Sequence, residues 1–216
     1  MQKVSAVRSA VVIATVAATV MLSRGTAAYT TNGGFWPQMP VAYYINAANL
    51  DLPSASAESA VRAGADTWAS QSRTSFRFAY AGSSTQATTT NDRINLVVFR
   101  NASNGSAIAT TYTWSNSSGI IDADIVFWDA AFRFFNGSSG CSSGFYIEDI
   151  AAHEFGHALG LGHSTRSSAT MYPSISSCSV NNRTLDGDDI AGVEALYPPR
   201  SVPPAAPTGL RPVRNN

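Results

Sequence analysis

The stretch His153-Glu154-Phe155-Gly156-His157-Ala158-Leu159-Gly160-Leu161-Gly162-His163 holds all three histidines of a 216-residue chain. His153 and His157 are four residues apart, so on a helix they project from one face, a turn apart. That spacing can bring two imidazole nitrogens to the ~2.0–2.1 Å that zinc requires. Glu154, between them, can take a proton from a water on such an ion and later pass it to a leaving amine. His163 cannot join by continuing the helix, because six more residues carry it roughly 9 Å along the axis. The helix must therefore stop and the chain turn back. Gly160 and Gly162 are expected to supply that turn through φ > 0. A histidine-bearing helix with surface or core imidazoles is the plainer alternative, and a bare HExxH would leave it open. The third histidine at this spacing, with none elsewhere, favours one zinc ion held by His153, His157 and His163.

Patterning around this stretch predicts a mixed α+β domain. Val41 to Ile45 reads as a strand, and a helix follows Pro53, with Ala57, Val61, Gly64 and Trp68 on one face and Asp51 as a candidate cap. Phe76, Phe78 and Tyr80 alternate as in a half-buried strand; Ile94–Phe99, Ala107–Thr113 and Ile120–Trp128 give three more strands. Polar loops occupy 82–91, 101–106, 115–119 and 136–144. Helices are expected from Ile147 to Leu161 and from Asp186 to Tyr197.

The ends of the chain have a different character. Lys3 and Arg8 precede an apolar run from Ala10 to Leu22, and Thr26-Ala27-Ala28 offers small residues for cleavage, so residues 1–28 are expected to be a signal peptide. The run is short for a bilayer span, which disfavours a stable membrane anchor. Without Lys3, Arg8 and Arg24 the remainder carries 11 Arg against 14 acids, a net charge of about −3, and offers no basic stripe for nucleic acid or anionic lipid. A secreted, extracellular protein suits a disulfide between the only two cysteines, Cys141 and Cys178. Such a bridge is worth about 4 kcal/mol in the chain-entropy picture. Residues 198–216 carry Pro203, Pro204, Pro207 and Pro212 and read as a tail or linker, leaving 29–197 as the domain. The stretch from Pro204 to Arg211 looks like the start of a fibronectin type III module.

HEFGHALGLGHS, followed by Ala169-Thr170-Met171-Tyr172-Pro173, resembles the zinc signature and Met-turn of the metzincin peptidases. Within them it is most similar to the matrixins, the matrix metalloproteinase group. Ser164 after the third histidine and the run Leu185-Asp186-Gly187-Asp188-Asp189-Ile190 to Tyr197 fit that group, and weaker likeness reaches back over roughly 35–197. The resemblance implies a twisted, mostly parallel five-stranded sheet, an active-site helix and a small C-terminal subdomain. It also implies one catalytic zinc, Met171 as a hydrophobic floor beneath it, and Ala107–Thr113 as an upper cleft edge that pairs with substrate by strand addition.

Three departures from the family pattern stand out. No histidine remains for the structural zinc that matrixins usually hold. No cysteine precedes Cys141, so latency through a propeptide cysteine is not expected. Pro173-Ser174-Ile175 lacks the aromatic that commonly follows the Met-turn, which puts the depth of the specificity pocket in doubt. Asp122, Asp124 and Asp129 could contribute to a calcium site, but acids at a strand end are more often simply solvated, and that is the preferred expectation.

These readings converge on a secreted, monomeric zinc endopeptidase acting on protein or peptide substrates, with Glu154 as general base and acid. A binding module with a purely structural zinc is disfavoured by the carboxylate beside the open metal position. An amidase acting on cell-wall peptides has the same ligand set and is disfavoured by the edge-strand reading.

Overall fold

A computed structural model describes residues 27–198, so the expected signal peptide, apart from its last two residues, and nearly all of the Pro-rich tail lie outside the described residues. Five strands form one sheet: β1 (Val41–Asn46), β2 (Phe78–Ser83), β3 (Leu96–Arg100), β4 (Ala109–Asn116) and β5 (Gly119–Trp128). Their order is β2-β1-β3-β5-β4, with every neighbouring pair parallel except β4 with β5. The mostly parallel α+β sheet expected from the resemblance is therefore present. A two-stranded parallel pair, β6 (Phe134–Phe135) with β7 (Phe145–Tyr146), adds to the expected elements; two-residue strands carry no periodicity by which to find them.

Helix α1 (Ser54–Gln71) and helix α2 (Ile147–Ala158) pack on one face of the sheet, and α3 (Gly187–Leu196) follows a 3-10 turn at Asn181–Arg183. The predicted apolar face of α1 is buried: Ala57, Val61, Gly64 and Trp68 all lie inside. Trp68 then donates its indole N–H to the Ala152 carbonyl of α2 at 2.8 Å. Beneath the helices Tyr43, Phe76, Phe78 and Phe155 pack edge to face, with centroids 4.7–5.0 Å apart for the closer pairs.

Several boundaries differ from expectation for local reasons. Asp51 does not cap α1, which starts after Pro53; its carboxylate accepts the Phe134 amide at 2.7 Å instead. Phe76 precedes β2, since its amide bonds to Thr74 Oγ1 at 2.7 Å in a side-chain turn. The β4 strand runs three residues beyond Thr113, because Asn116 pairs with Gly119 across a tight hairpin where a loop was expected. Helix α2 stops at Ala158, not Leu161.

The small C-terminal part is tied to α2 by charge and to the loop before β7 by a covalent bond. Buried Asp149 accepts Arg183 Nε at 2.6 Å and the Asn182 amide at 3.0 Å, and Arg183 also pairs with Glu148 at 3.1 Å. Cys141 and Cys178 are joined in the expected disulfide, with Cα atoms 5.5 Å apart.

Candidate active site

Helix α2 delivers His153, Glu154 and His157 in its last two turns. Its end is built as the sequence required. Gly160 has φ +115°, its amide bonds to the His157 carbonyl at 3.0 Å, and Leu161 N–H reaches back to Gly156 O at 3.0 Å. This is a Schellman stop, which needs the left-handed residue that glycine tolerates. Gly162 serves a different purpose from the one expected, and it is not among the positive-φ residues. A side chain there would collide with Thr30 Oγ1, so Gly162 admits the N-terminal segment rather than turning the chain. That segment pairs with the loop: Thr31 bridges Leu161, Gly162 N–H meets Thr30 O at 2.9 Å, and Thr30 Oγ1 donates to His163 O at 2.8 Å. The loop's path, and with it His163, is thereby held.

The last carbonyls of α2 are also satisfied by aromatic donors. Trp36 Nε1 bonds to Ala158 O at 2.8 Å and the Tyr197 hydroxyl to Leu159 O at 2.6 Å.

The three histidines converge. Nε2 of His157 lies 3.1 Å from Nε2 of His153 and 3.2 Å from Nε2 of His163. Among the described residues they form the one group of three or more metal-capable side chains, all within 4.8 Å of one another. His153 Nδ1 donates to Thr170 O at 2.7 Å and His157 Nδ1 to Leu161 O at 2.9 Å. Because carbonyls only accept, both Nδ1 atoms carry the proton and both Nε2 lone pairs face the common centre. Facing lone pairs repel unless a cation lies between them. Nitrogens at ~2.0–2.1 Å from a tetrahedral zinc stand about 3.3–3.4 Å apart, close to the spacing here. Burial, the main cause, holds His153 and His157 down at about 4, and it lowers His163 as well, so all three are neutral and ready to ligate at physiological pH. The donor set fits zinc.

Glu154 is buried beside this centre, and Thr111 Oγ1 donates to its Oε2 at 2.6 Å. Burial pushes the carboxyl up from its ordinary value, opposed by the charge of His157 and by the Thr111 hydrogen bond. The centre opens onto a cleft of about 460 Å³. Its upper rim is β4, the outermost strand of the sheet, and its lower wall is Tyr172-Pro173-Ser174-Ile175 with Ile150 and Asn182.

Met171 is fully buried under α2. A side chain at Gly156, between the two helical histidines, would overlap Met171 Sδ and the Trp68 ring. The turn carrying Met171 is fastened by α3: Asp189 accepts the Thr170 amide at 2.8 Å and the Met171 amide at 3.1 Å. Asp188 accepts the Ser164 hydroxyl at 2.7 Å and the Ala28 amide at 2.8 Å.

With that architecture in view, likeness to known proteins settles the family. The matrixin profile matches residues 35–198. The chain belongs to the matrixin family. Human matrix metalloproteinase-20 is 49% identical over 67 residues, 31% of this chain and 14% of the relative. The hatching enzyme of Paracentrotus lividus is 48% identical over 75 residues, 35% of this chain and 13% of the relative. Metalloendoproteinase 1-MMP of Arabidopsis thaliana is 51% identical over 53 residues, 24% of this chain and 14% of the relative. The matched stretch thus spans about a seventh of the length of these relatives. Matrixins are zinc-dependent, in keeping with the histidine cluster of this matrixin.

One expectation is overturned. Asp122, Asp124 and Asp129 are not solvated; they are 0%, 0% and 6% exposed. Asp122 accepts the amides of Asp92 and Arg93, each at 2.8 Å, and Asp124 those of Thr90 and Leu96, each at 2.9 Å. Both side chains point to the sheet face away from the helices, where the 84–95 segment covers them and supplies most of the donors. Asp129 takes the Leu50 amide at 2.6 Å. Sequence reasoning also passed over Thr111 and Asp189. Thr111 sits in a strand read only for its edge position, and Asp189 in an acidic pair noted only for its likeness. The one signal for Asp189 within the sequence is the capping-box spacing from Asp186.

Proposed function

We propose that this matrixin is a secreted zinc endopeptidase that cleaves protein or peptide substrates, and that residues 29–197 form its catalytic domain. His153, His157 and His163 would hold the ion, with Met171 as the apolar floor beneath it. When bound, zinc supplies Lewis acidity, polarising a scissile carbonyl and acidifying water. The remaining work belongs to the chain itself. The free edge of β4 aligns an extended peptide by main-chain pairing. Glu154 takes the proton of the attacking water and returns it to the departing nitrogen.

The observation that carries this reading is the meeting of three imidazole Nε2 atoms beside a buried carboxylate below an edge strand. The expected leader over residues 1–28 and the disulfide support secretion, and no helix among the described residues is long and apolar enough to cross a membrane. Digestion of casein by the purified protein tests the reading. Cleavage should vanish with phenanthroline and return on adding zinc. A protein that digests nothing, or digests equally well under chelation, overturns it.

A further inference from the structure

Glu154 is joined to the sheet by one side chain of an unexpected kind. Thr111 lies on β4 opposite Ile125, whose side chain belongs to the core beneath the helices, so Thr111 faces α2 rather than the outer surface. Its hydroxyl sits 2.6 Å from Glu154 Oε2 and 3.0 Å from the Glu154 main-chain oxygen. A hydroxyl has one proton, and the shorter contact to a carboxylate is the stronger use of it. We propose that Thr111 is a positioning residue for Glu154, fixing one carboxylate oxygen so that the other is presented to the reacting centre. This rests on the reading of Glu154 as the proton carrier of an endopeptidase.

The physical case has three parts. A glutamate has three side-chain torsions, and a base that rotates freely is seldom aligned for proton transfer; fixing it in advance lowers the cost of reaction. Threonine is β-branched and stiff about its first torsion, which makes it a rigid anchor on a strand. The anchor also sits on the edge strand that the substrate would join, so pairing of a peptide with β4 and the setting of the base involve the same residue. A purely structural role has less support. The hydroxyl's partners are both atoms of Glu154, and the strand's own hold on the sheet comes from its ladder with β5.

The test uses Thr111→Val, which keeps the shape and strand preference but removes the hydroxyl, and Thr111→Ser, which keeps the hydroxyl. Thr111→Val should lower kcat about 10- to 100-fold, in line with losing a hydrogen bond to a charged group, with KM, zinc content and melting temperature unchanged. Thr111→Ser should recover most of the rate. Calorimetric binding of a peptide hydroxamate to the zinc-loaded proteins gives a readout apart from turnover. Its proton must be taken up locally, so affinity should fall by a similar factor in Thr111→Val and recover in Thr111→Ser. The proposal is overturned by a Val variant with unchanged kcat and hydroxamate affinity. It is equally overturned by a rise in KM alone, or by a loss that follows zinc content or melting temperature and is not rescued by Ser. If the wild-type protein cleaves no peptide, the endopeptidase reading fails, while the hydroxamate series still decides the role of Thr111.

Discussion

Glu154 and Asp189 are both buried carboxylates, and burial is the main cause that pushes each of them up from its ordinary value. Their surroundings are otherwise opposite. Asp189 is 0% exposed and receives three main-chain amides: Thr170 and Asp186 on Oδ2, each at 2.8 Å, and Met171 on Oδ1 at 3.1 Å. Glu154 receives a single hydroxyl, from Thr111, and lines the cleft. N–H donors on both oxygens of Asp189 oppose that rise, favour the charged form and hold a turn together. A carboxylate with an oxygen to spare can exchange a proton. Burial alone does not distinguish a structural acid from a reactive one; the count and kind of donors does.

The sharpest way to break that distinction is to neutralise each acid and ask what is lost. Glu154→Gln should lower turnover by about 10²–10⁴-fold while leaving zinc content and the unfolding midpoint unchanged. Peptidase assays alongside elemental analysis would check it, and a fully active variant would remove Glu154 from the chemistry. Asp189→Ala should do the reverse in kind. It strands the amides of Thr170, Met171 and Asp186, with a destabilisation of about 3–5 kcal/mol. Zinc content should fall with it, since Thr170 O orients His153. Urea unfolding measures the first effect. If Asp189→Ala unfolds like the wild type, the contrast between the two acids is wrong.

What is legible in the sequence depends on how local the cause is. The two helical histidines, the need for a glycine turn between them and His163, and the buried face of α1 follow from spacings of a few residues, and they can be read directly, although the helix ends three residues earlier than expected. Strand patterns are silent on which strands pair; the resemblance supplies a mostly parallel five-stranded sheet but not its order, because strand pairing is set by contacts far apart in the chain. Thr30 on the His163 loop, Thr111 on Glu154 and Asp189 on the Met171 turn join residues 133, 43 and 18 positions apart, and no short window along the chain contains both partners. Gly162 shows the limit well. Its identity is informative, but its reason, room for a neighbouring segment, could only come from the packed structure. The misreading of Asp122 and Asp124 has the same origin, since their donors come from a loop about thirty residues upstream.

Asp124 supplies the finest test, because it lies between the two extremes. It is fully buried and accepts two amides, one fewer than Asp189, and burial, the largest cause, pushes its carboxyl up to about 7. Nearby Asp122 and Asp92 add to the rise, and the amides of Thr90 and Leu96 oppose it. A native value above that of the unfolded chain means that the folded state favours the protonated form. The stability this gives is fully present below about pH 4 and is lost progressively as pH climbs toward 7. Asp124→Asn mimics the protonated acid at every pH. The melting temperature of wild type minus variant should therefore drift downward between pH 4 and 7 and then level off. A difference that stays flat, or rises with pH, would mean that the two amides suffice to hold Asp124 charged, placing it with Asp189 and making two donors, not three, the threshold for a structural acid in this fold.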